Sequence, residues 1–500
     1  MPELRTGAEY RDALSDGRKV WVAGAGEVDD VTTHPATRAM VDEYVAWYDR
    51  HHDPAWADKL LTSADGACSR RPWAYLLPTK SDELVAMGRS FSATTFLSAG
   101  NITHTPGYGH LIAMGILATV QARNASAQQI ANAQAYRRSI ADTGRFLTFS
   151  AGAATIGSRL HPDPAARSAL RIVRETDSGV VLRGKVGMHT SPAYAEDVYL
   201  GSLCGVEYGG HHASFILPVN APGVRIVCRP ISTRDENPFV APLSHRFDEL
   251  DGQMWLDDVH VPYERMFLVE PSPEPIARWL FWHQLYSWLA KAEFTLGLGL
   301  ACTHAMSLAA DEATVGYLLD LITDVQTVRS CLVAAERDPQ FTPAGYCHPN
   351  HNHIAAGSIA MLKARPRMSE TLRILPGSSL ILAPTDKDLA APEVAAGLEA
   401  AFGGGGYDAR QRAAVLRMAW DHVSSALDSR ESVYELHANG GVPTWRQRLR
   451  RSFEDYNSLA NGVVQQLGMR MPDIDLSGIR EAPLARRRQV VVEAPKPEPK

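Results

Sequence analysis

The chain has 500 residues, with 50 Lys or Arg against 56 Asp or Glu and a formal net charge of −6. That length is enough for two or three packed units. The apolar and charged fractions are those of an ordinary globular protein, and the lack of a basic balance argues against nucleic acid as a partner.

In chain order, residues 19–23 (KVWVA) read as a short strand, 24–27 as a turn and 28–32 as a partner strand, making an N-terminal hairpin arm. From 35 to about 140 the pattern is helical. Residues 37–50 place Met40, Val41, Tyr44, Val45 and Trp47 near helical spacing. Ser81 can cap a helix running through Met87. Gly107 and Gly109 are expected to break the next stretch, which resumes over 111–122, and 125–136 is Ala- and Gln-rich. From about 146 to 269 the character turns to strands, at 170–173, 179–183, 185–188, 213–218 and 224–228, separated by Gly, Pro and Asn turns. From 271 to 467 it is helical again, with long loops at 339–353 and 375–388. The tail from about 482 (RRR, then EAPKPEPK) has a disordered composition.

Six cysteines, Cys68, Cys204, Cys228, Cys302, Cys331 and Cys347, show neither a CxxC pair nor a framework spacing, which points to a reducing compartment. The N-terminus is polar and is not a signal peptide. The longest apolar run, 288–301, carries Lys291 and Glu293 and is too short for a bilayer. A cytoplasmic protein with no membrane partner is expected.

Residues 245–269, HRFDELDGQMWLDDVHVPYERMFLV, read as a charged lead-in, a strand at 253–256, a loop at Asp257-Asp258, an extended piece at 259–262 and a helix opening at Tyr263. On residue chemistry alone this is a sheet edge handing over to helices. The same stretch resembles the middle of the 4-hydroxyphenylacetate 3-hydroxylase family, the oxygenase components of two-component, reduced-flavin-dependent monooxygenases. The opening TGAEYRDALSDGRKVWVAGAGEVDDVTTHPA and the later MAWDHVSSALDSRESVYELHANGG resemble the same family, so the likeness runs from about 5 to 465. It implies an α+β, mainly α fold like that of acyl-CoA dehydrogenases. The N-terminal arm and helical domain would occupy 1–145, the β domain 146–270, the C-terminal helical bundle 271–470 and a tail 471–500.

The resemblance also implies FAD, used as FADH2, and O2, which adds at the flavin C4a position as a hydroperoxide. A separate NAD(P)H:flavin reductase supplies the reduced flavin, and the assembly is a homotetramer. No GxGxxG follows a strand, so a Rossmann site is unsupported. Thr190 and Ser191 match the segment beside the flavin ring, where an ordinary polar turn is the alternative. Gly403, Gly404, Gly405 and Gly406 leave backbone N–H groups unshielded for a pyrophosphate, which the resemblance implies belongs to a neighbouring subunit's flavin, or form a helix linker. Arg430 is a candidate for flavin charge pairing, or a solvated helix residue.

On the substrate side, Met87-Gly88-Arg89-Ser90 matches the family's MGR motif, in which Arg89 would hold a phenol oxygen; a helix-end salt bridge is the alternative. The family then uses a Tyr and a His to handle the phenol proton. Ala93 and Phe149 stand at those positions, and with Phe91 they make the pocket more apolar. His189 ranks first as a replacement acid/base. His104 and Tyr108 are further candidates, placed in a loop by Pro106 and Gly107. The Gly-rich stretch 203–213 would close over substrate on Gly209 and Gly210, carrying His211 or His212 inward. Cys347, His348, His351 and His353 lack zinc-site spacing and read as a polar loop, so no metal is expected. The function implied is oxygen insertion into a small aromatic or heteroaromatic substrate. Two alternatives stand beside it: a flavin-dependent dehydratase of the 4-hydroxybutyryl-CoA type, which needs an iron–sulfur cluster held by three Cys and one His and is disfavoured because His283 is offered but Ala290 and the MGR region supply no cysteine, and a non-catalytic flavin-binding or scaffold protein.

Overall fold

A computed structural model describes residues 4–62, 70–123, 125–150, 169–201, 206–233, 237–269, 274–437, 440–469, 472 and 474–481. Helices come first: α1 (Gly7–Ala13), α2 (Arg38–Asp49), α3 (Pro54–Leu60), α4 (Ser81–Thr95), α5 (Pro106–Ala122) and α6 (Ala127–Thr143). The expected break at Gly107 and Gly109 is absent. Thr105 caps α5 by accepting the Tyr108 N–H, and Pro106 takes the first helical turn, where a missing N–H costs nothing. The two glycines serve close packing. A Cβ at Gly107 would lie 2.8 Å from the Ala74 Cβ, and one at Gly109 would lie 2.5 Å from the Leu147 carbonyl oxygen.

The hairpin arm forms as β1 (Val20–Val22) and β2 (Gly26–Val28). It is part of the main sheet rather than a free arm: β1 runs parallel to β9 (Val224–Cys228). The six-stranded sheet has the order β2-β1-β9-β10-β5-β4, with β4 (Arg171–Thr176), β5 (Gly179–Thr190) and β10 (Asp251–Pro262). The two pieces read at 253–262 are thus one strand. Asp257-Asp258 is a bulge inside it, with Asp258 at φ 55° and a register shift between Leu256 and Val259. No long helix opens at Tyr263; a single 3-10 turn leads straight into β11 (Met266–Val269). A second sheet orders β11-β8-β6-β3, using β3 (Leu147–Phe149), β6 (Asp197–Leu200) and β8 (His211–Pro218), with β7 (Val206–Tyr208) paired to β8.

Beyond the sheets lie α7 (Glu274–Ala305), α8 (Glu312–Arg337) and α9 (His351–Ile374). A short hairpin, β12 (Gln340–Phe341) with β13 (Cys347–His348), occupies the first expected loop. The second expected loop carries α10 (Ser379–Leu382) and α11 (Asp386–Ala390). Then follow α12 (Ala395–Phe402), α13 (Ala409–Ser424), α14 (Ala426–His437), α15 (Gly441–Ser452), α16 (Tyr456–Gln465) and α17 (Ser477–Glu481). The sequence from 482 onward lies outside the described residues. Among the described residues no helix is long and apolar enough to cross a membrane.

The helical part is tied together by buried charge. Lys291 of α7 is 2.6 Å from Glu431 and 2.8 Å from Glu435, both on α14. Arg365 of α9 is 2.8 Å from Asp428 and 3.0 Å from Glu435. Such groups stay buried only because each charge meets its opposite.

Candidate active site

Two clusters meet where α5, α7, β3 and the end of β5 converge. The first is polar and centres on Glu249 and Asp251, at the start of β10. The Glu249 carboxylate is fully buried. It accepts the backbone N–H of Thr103 at 3.1 Å and of His104 at 2.8 Å, the Thr103 hydroxyl at 2.7 Å and the Ser191 hydroxyl at 3.0 Å. Burial raises its pKa, against the pull of Arg430 and these donors. The Tyr44 hydroxyl lies between the His104 carbonyl (2.9 Å) and the Ser191 hydroxyl (2.7 Å).

Asp251 receives Arg430 through two bonds, at 2.8 and 2.7 Å, together with Arg229 at 3.2 Å and the Thr190 hydroxyl at 3.1 Å. Burial opposes ionisation of Asp251, but Arg430 outweighs it and the carboxyl titrates below its ordinary range. Arg430 is therefore neither solvated nor a free cation. Its guanidinium is engaged by Asp251 and Glu431 and buried on α14. The hydroxyls of Thr190 and Ser191 also point inward, to Asp251 and Glu249. Ser191 holds a left-handed φ of 59° and donates its N–H to the Leu250 carbonyl at 2.9 Å.

The second cluster is a set of rings. His104 stacks on Tyr108 with centroids 4.4 Å apart and on Phe149 at 5.5 Å. The expected loop around His104 and Tyr108 is in fact the capped entry to α5, which brings the two rings face to face. His283 of α7 meets Tyr108 at 5.1 Å and Phe91 at 4.8 Å. A hydroxyl bridge joins the clusters: Thr148 donates to the Thr190 carbonyl at 2.6 Å and lies 3.0 Å from His104 Nδ1. Thr148 has one hydrogen, so it must accept from His104, which fixes the proton on Nδ1.

The ring cluster carries no charge at neutral pH. Burial lowers the pKa of His104 to about 3 and that of His283 to about 3, and it raises Tyr108 well above its ordinary value. Both ring nitrogens of His283 lack a hydrogen-bond partner. The Tyr108 hydroxyl likewise has none among the described residues.

The other sequence candidates stand apart. His189 is fully buried beside the Ser150 bridge; among the described residues neither ring nitrogen has a hydrogen-bond partner, and burial lowers its pKa to about 3. Arg89 is exposed on α4 with no ion pair among the described residues; its charge reaches Tyr286 and Glu336, not the rings. Ala93 is half-buried one turn on. His211 and His212 lie at the start of β8, in register with Tyr208 and Glu207 across the Gly209-Gly210 turn. They belong to a paired hairpin rather than an open loop, although 202–205 fall outside the described residues. Gly403 to Gly406 link α12 to α13 at the surface. Cβ atoms at Gly404 and Gly406 would meet nothing within 4 Å.

Sequence reasoning missed Glu249, Asp251 and Thr148, and considered His283 only as a cluster ligand. The signal for His283 was present: a lone histidine in the apolar run WLFWHQLYSW, where burial without a partner is costly.

The family model described as 4-hydroxyphenylacetate 3-hydroxylase N terminal matches residues 6–268, and its C-terminal counterpart matches 276–463. A 4-hydroxyphenylacetate 3-monooxygenase oxygenase component from Thermus thermophilus is 28% identical over 447 residues, covering 86% of this chain and 91% of that protein. The oxygenase component of a 4-nitrophenol 4-monooxygenase/4-nitrocatechol 2-monooxygenase from Rhodococcus opacus is 27% identical, covering 89% and 87%. The crystal structure of an oxygenase component, HpaB, complexed with FAD and 4-hydroxyphenylacetate superposes with a TM-score of 0.82 at 25% identity, covering 93% of this chain and 99% of that one. With both halves matched in sequence and nearly the whole chain matched in structure, this chain belongs to the 4-hydroxyphenylacetate 3-hydroxylase family and is a flavin-dependent monooxygenase.

Proposed function

We propose that this chain uses FADH2, supplied by a separate reductase, and O2 to insert one oxygen atom into a small, neutral aromatic or heteroaromatic substrate. The observation that carries the substrate class is the uncharged ring cluster of Phe91, His104, Tyr108, Phe149 and His283. A phenolate needs a cation or a paired acid and base. Here the usual positions hold Ala93 and Phe149, and Arg89 is exposed on α4 with its charge felt at Tyr286 and Glu336. A flat, neutral ring fits such a site by stacking, with one or two hydrogen bonds to orient it.

Two features fit a flavin: the unpaired imidazole of His189 beside Thr190, and the glycine turn, where the Gly403 and Gly404 N–H groups are bonded to the Glu399 and Tyr407 carbonyls but a Cβ at Gly404 or Gly406 would meet nothing within 4 Å, so that a pyrophosphate can approach the backbone closely. Reduced FAD, when bound, supplies the oxygen-activating chemistry. The chain's residues then bind, orient and exclude water. His104, with its proton fixed on Nδ1 by Thr148, and Phe149 form one stacking wall. His283 and the Tyr108 hydroxyl face the substrate as neutral hydrogen-bonding groups, and either can pass a proton to or from a ring heteroatom.

A tetramer is part of this proposal. Exposed apolar residues on α8 and α10, including Leu319, Val333, Ile381 and Leu382, are suited to burial between copies. Turnover of phenols, indoles and azaheteroaromatics with a flavin reductase and NADH, read by mass for one added oxygen, tests the function. Efficient oxidation of 4-hydroxyphenylacetate in preference to the neutral rings would overturn the substrate assignment.

A further inference from the structure

We propose that Glu249 is a positioning residue that locks the substrate-side segment 103–108 to the flavin-side segment 190–191, so that the two halves of the site act as one unit. The inference rests on the oxygenase reading for what each half binds. The coupling itself rests on geometry. One fully buried carboxylate takes the N–H groups of Thr103 and His104, the Thr103 hydroxyl and the Ser191 hydroxyl, all between 2.7 and 3.1 Å. Those donors come from two segments nearly ninety residues apart.

Four features argue that the lock is specific. His104 and Tyr108 leave this anchor directly: the Thr105 cap follows, and the first turn of α5 carries the stacked Tyr108. Ser191 is held at φ 59°, a conformation an L residue adopts only when its surroundings require it. Tyr44 closes the ring: since Ser191 donates its one hydrogen to Glu249, the single Tyr44 hydrogen is shared between Ser191 Oγ at 2.7 Å and the His104 carbonyl at 2.9 Å. Arg430, with its nearest nitrogen 3.8 Å from Glu249, supplies the balancing charge while its bidentate bond goes to Asp251. A surface carboxylate in RFDE would need none of this.

The test reads effects across the lock. Thr103→Val removes a donor on the substrate side, and Ser191→Ala removes one on the flavin side. With Glu249 as the joint, Thr103→Val weakens FAD binding, measured by flavin fluorescence without substrate, by about three- to tenfold. Ser191→Ala raises KM for the substrate by a similar factor. Glu249→Gln, which keeps the shape but places an amide NH2 against N–H donors, does both. It also diverts reduced flavin to hydrogen peroxide, so that less product forms per NADH consumed. A loss of stability alone would not change that ratio. If Thr103→Val leaves FAD binding unchanged and Ser191→Ala leaves KM unchanged in a wild-type background that makes product, the lock is refuted and the oxygenase reading stands. A wild-type protein that binds FAD but yields no oxygenated product refutes the oxygenase reading, while the Thr103→Val effect on FAD still decides the lock. A wild-type protein that binds no FAD overturns both.

Discussion

His283→Phe is the most informative single change, because it separates stability from function. The His283 imidazole is fully buried against Phe91 and Tyr108, and among the described residues neither nitrogen is hydrogen-bonded. Burial takes its pKa from 6.5 to about 3. In the unfolded chain the ring takes up a proton below about pH 6.5, whereas the folded ring resists protonation until about pH 3. Its contribution is therefore complete above the upper value and is lost as pH falls between the two. At pH 5 the deficit is about 1.5 pH units, or roughly 2 kcal/mol at about 1.36 kcal/mol per unit. Phe has no such proton to bind, so the variant keeps that 2 kcal/mol on acidification. Repacking strain, of about 1–3 kcal/mol, enters equally at both pH values and cancels from the comparison. Urea unfolding of wild type and variant at pH 7.5 and 5 measures the difference. Turnover, assayed in parallel at pH 7.5, should fall by about 10²-fold if the ring nitrogen meets the substrate. Parallel plots of stability against pH for the two proteins would refute the claim that the imidazole is buried and unpartnered.

Arg89→Ala should reduce oxygenation by about tenfold or less and leave FAD affinity unchanged, since the residue is exposed and its charge is felt at Tyr286 and Glu336; a loss near 10³-fold would restore it to the centre of the chemistry. His189→Ala should weaken FADH2 binding by about tenfold, read by stopped-flow titration, with little change in the pH profile of turnover, because the ring lies beside Thr190 and outside the ring cluster. Lys291→Met leaves buried Glu431 with Arg430 alone and Glu435 with Arg365 alone, and should cost up to about 3–5 kcal/mol of stability by denaturant titration. Light scattering should give a particle of four chains; a stable monomer that binds FAD would count against a neighbour's glycine turn completing the site.

The fold was legible because its two periodicities alternate in long blocks. Helical spacing ran to about 140, strand-rich segments filled 146–269 and helical spacing resumed after them, and the structure follows that order. Where single residues were used as punctuation, the reading failed. Gly107 and Gly109 looked like breaks, yet they lie where α5 presses against Ala74 and the Leu147 backbone, a reason for glycine that exists only after folding. Asp257-Asp258 looked like a loop and is a bulge that keeps β10 continuous, with Asp258 tied to Arg183 across the strands at 2.6 Å. Both features depend on neighbours distant in sequence.

The site was legible to the extent that its residues are chemically conspicuous. Aromatic rings and histidines drew attention, and three of them, His104, Tyr108 and Phe149, do meet, with Phe91 joined to them through His283. The carboxylates that organise them did not stand out. Acidic residues in a turn-prone stretch such as RFDELD read as solvated, and that is the correct expectation for an isolated charge. Glu249 and Asp251 are buried only because Thr103, His104, Ser191, Arg229 and Arg430 converge on them from four distant segments. The reverse holds for Arg89. A motif match gave it a central role, yet it sits exposed on α4, and the two groups its charge reaches, Tyr286 and Glu336, hydrogen-bond each other instead at 2.5 Å. A motif specifies which residue types recur. Which of them pack together is decided by the contacts that bury or expose each one, and here those contacts bury His104 and Tyr108 and leave Arg89 exposed.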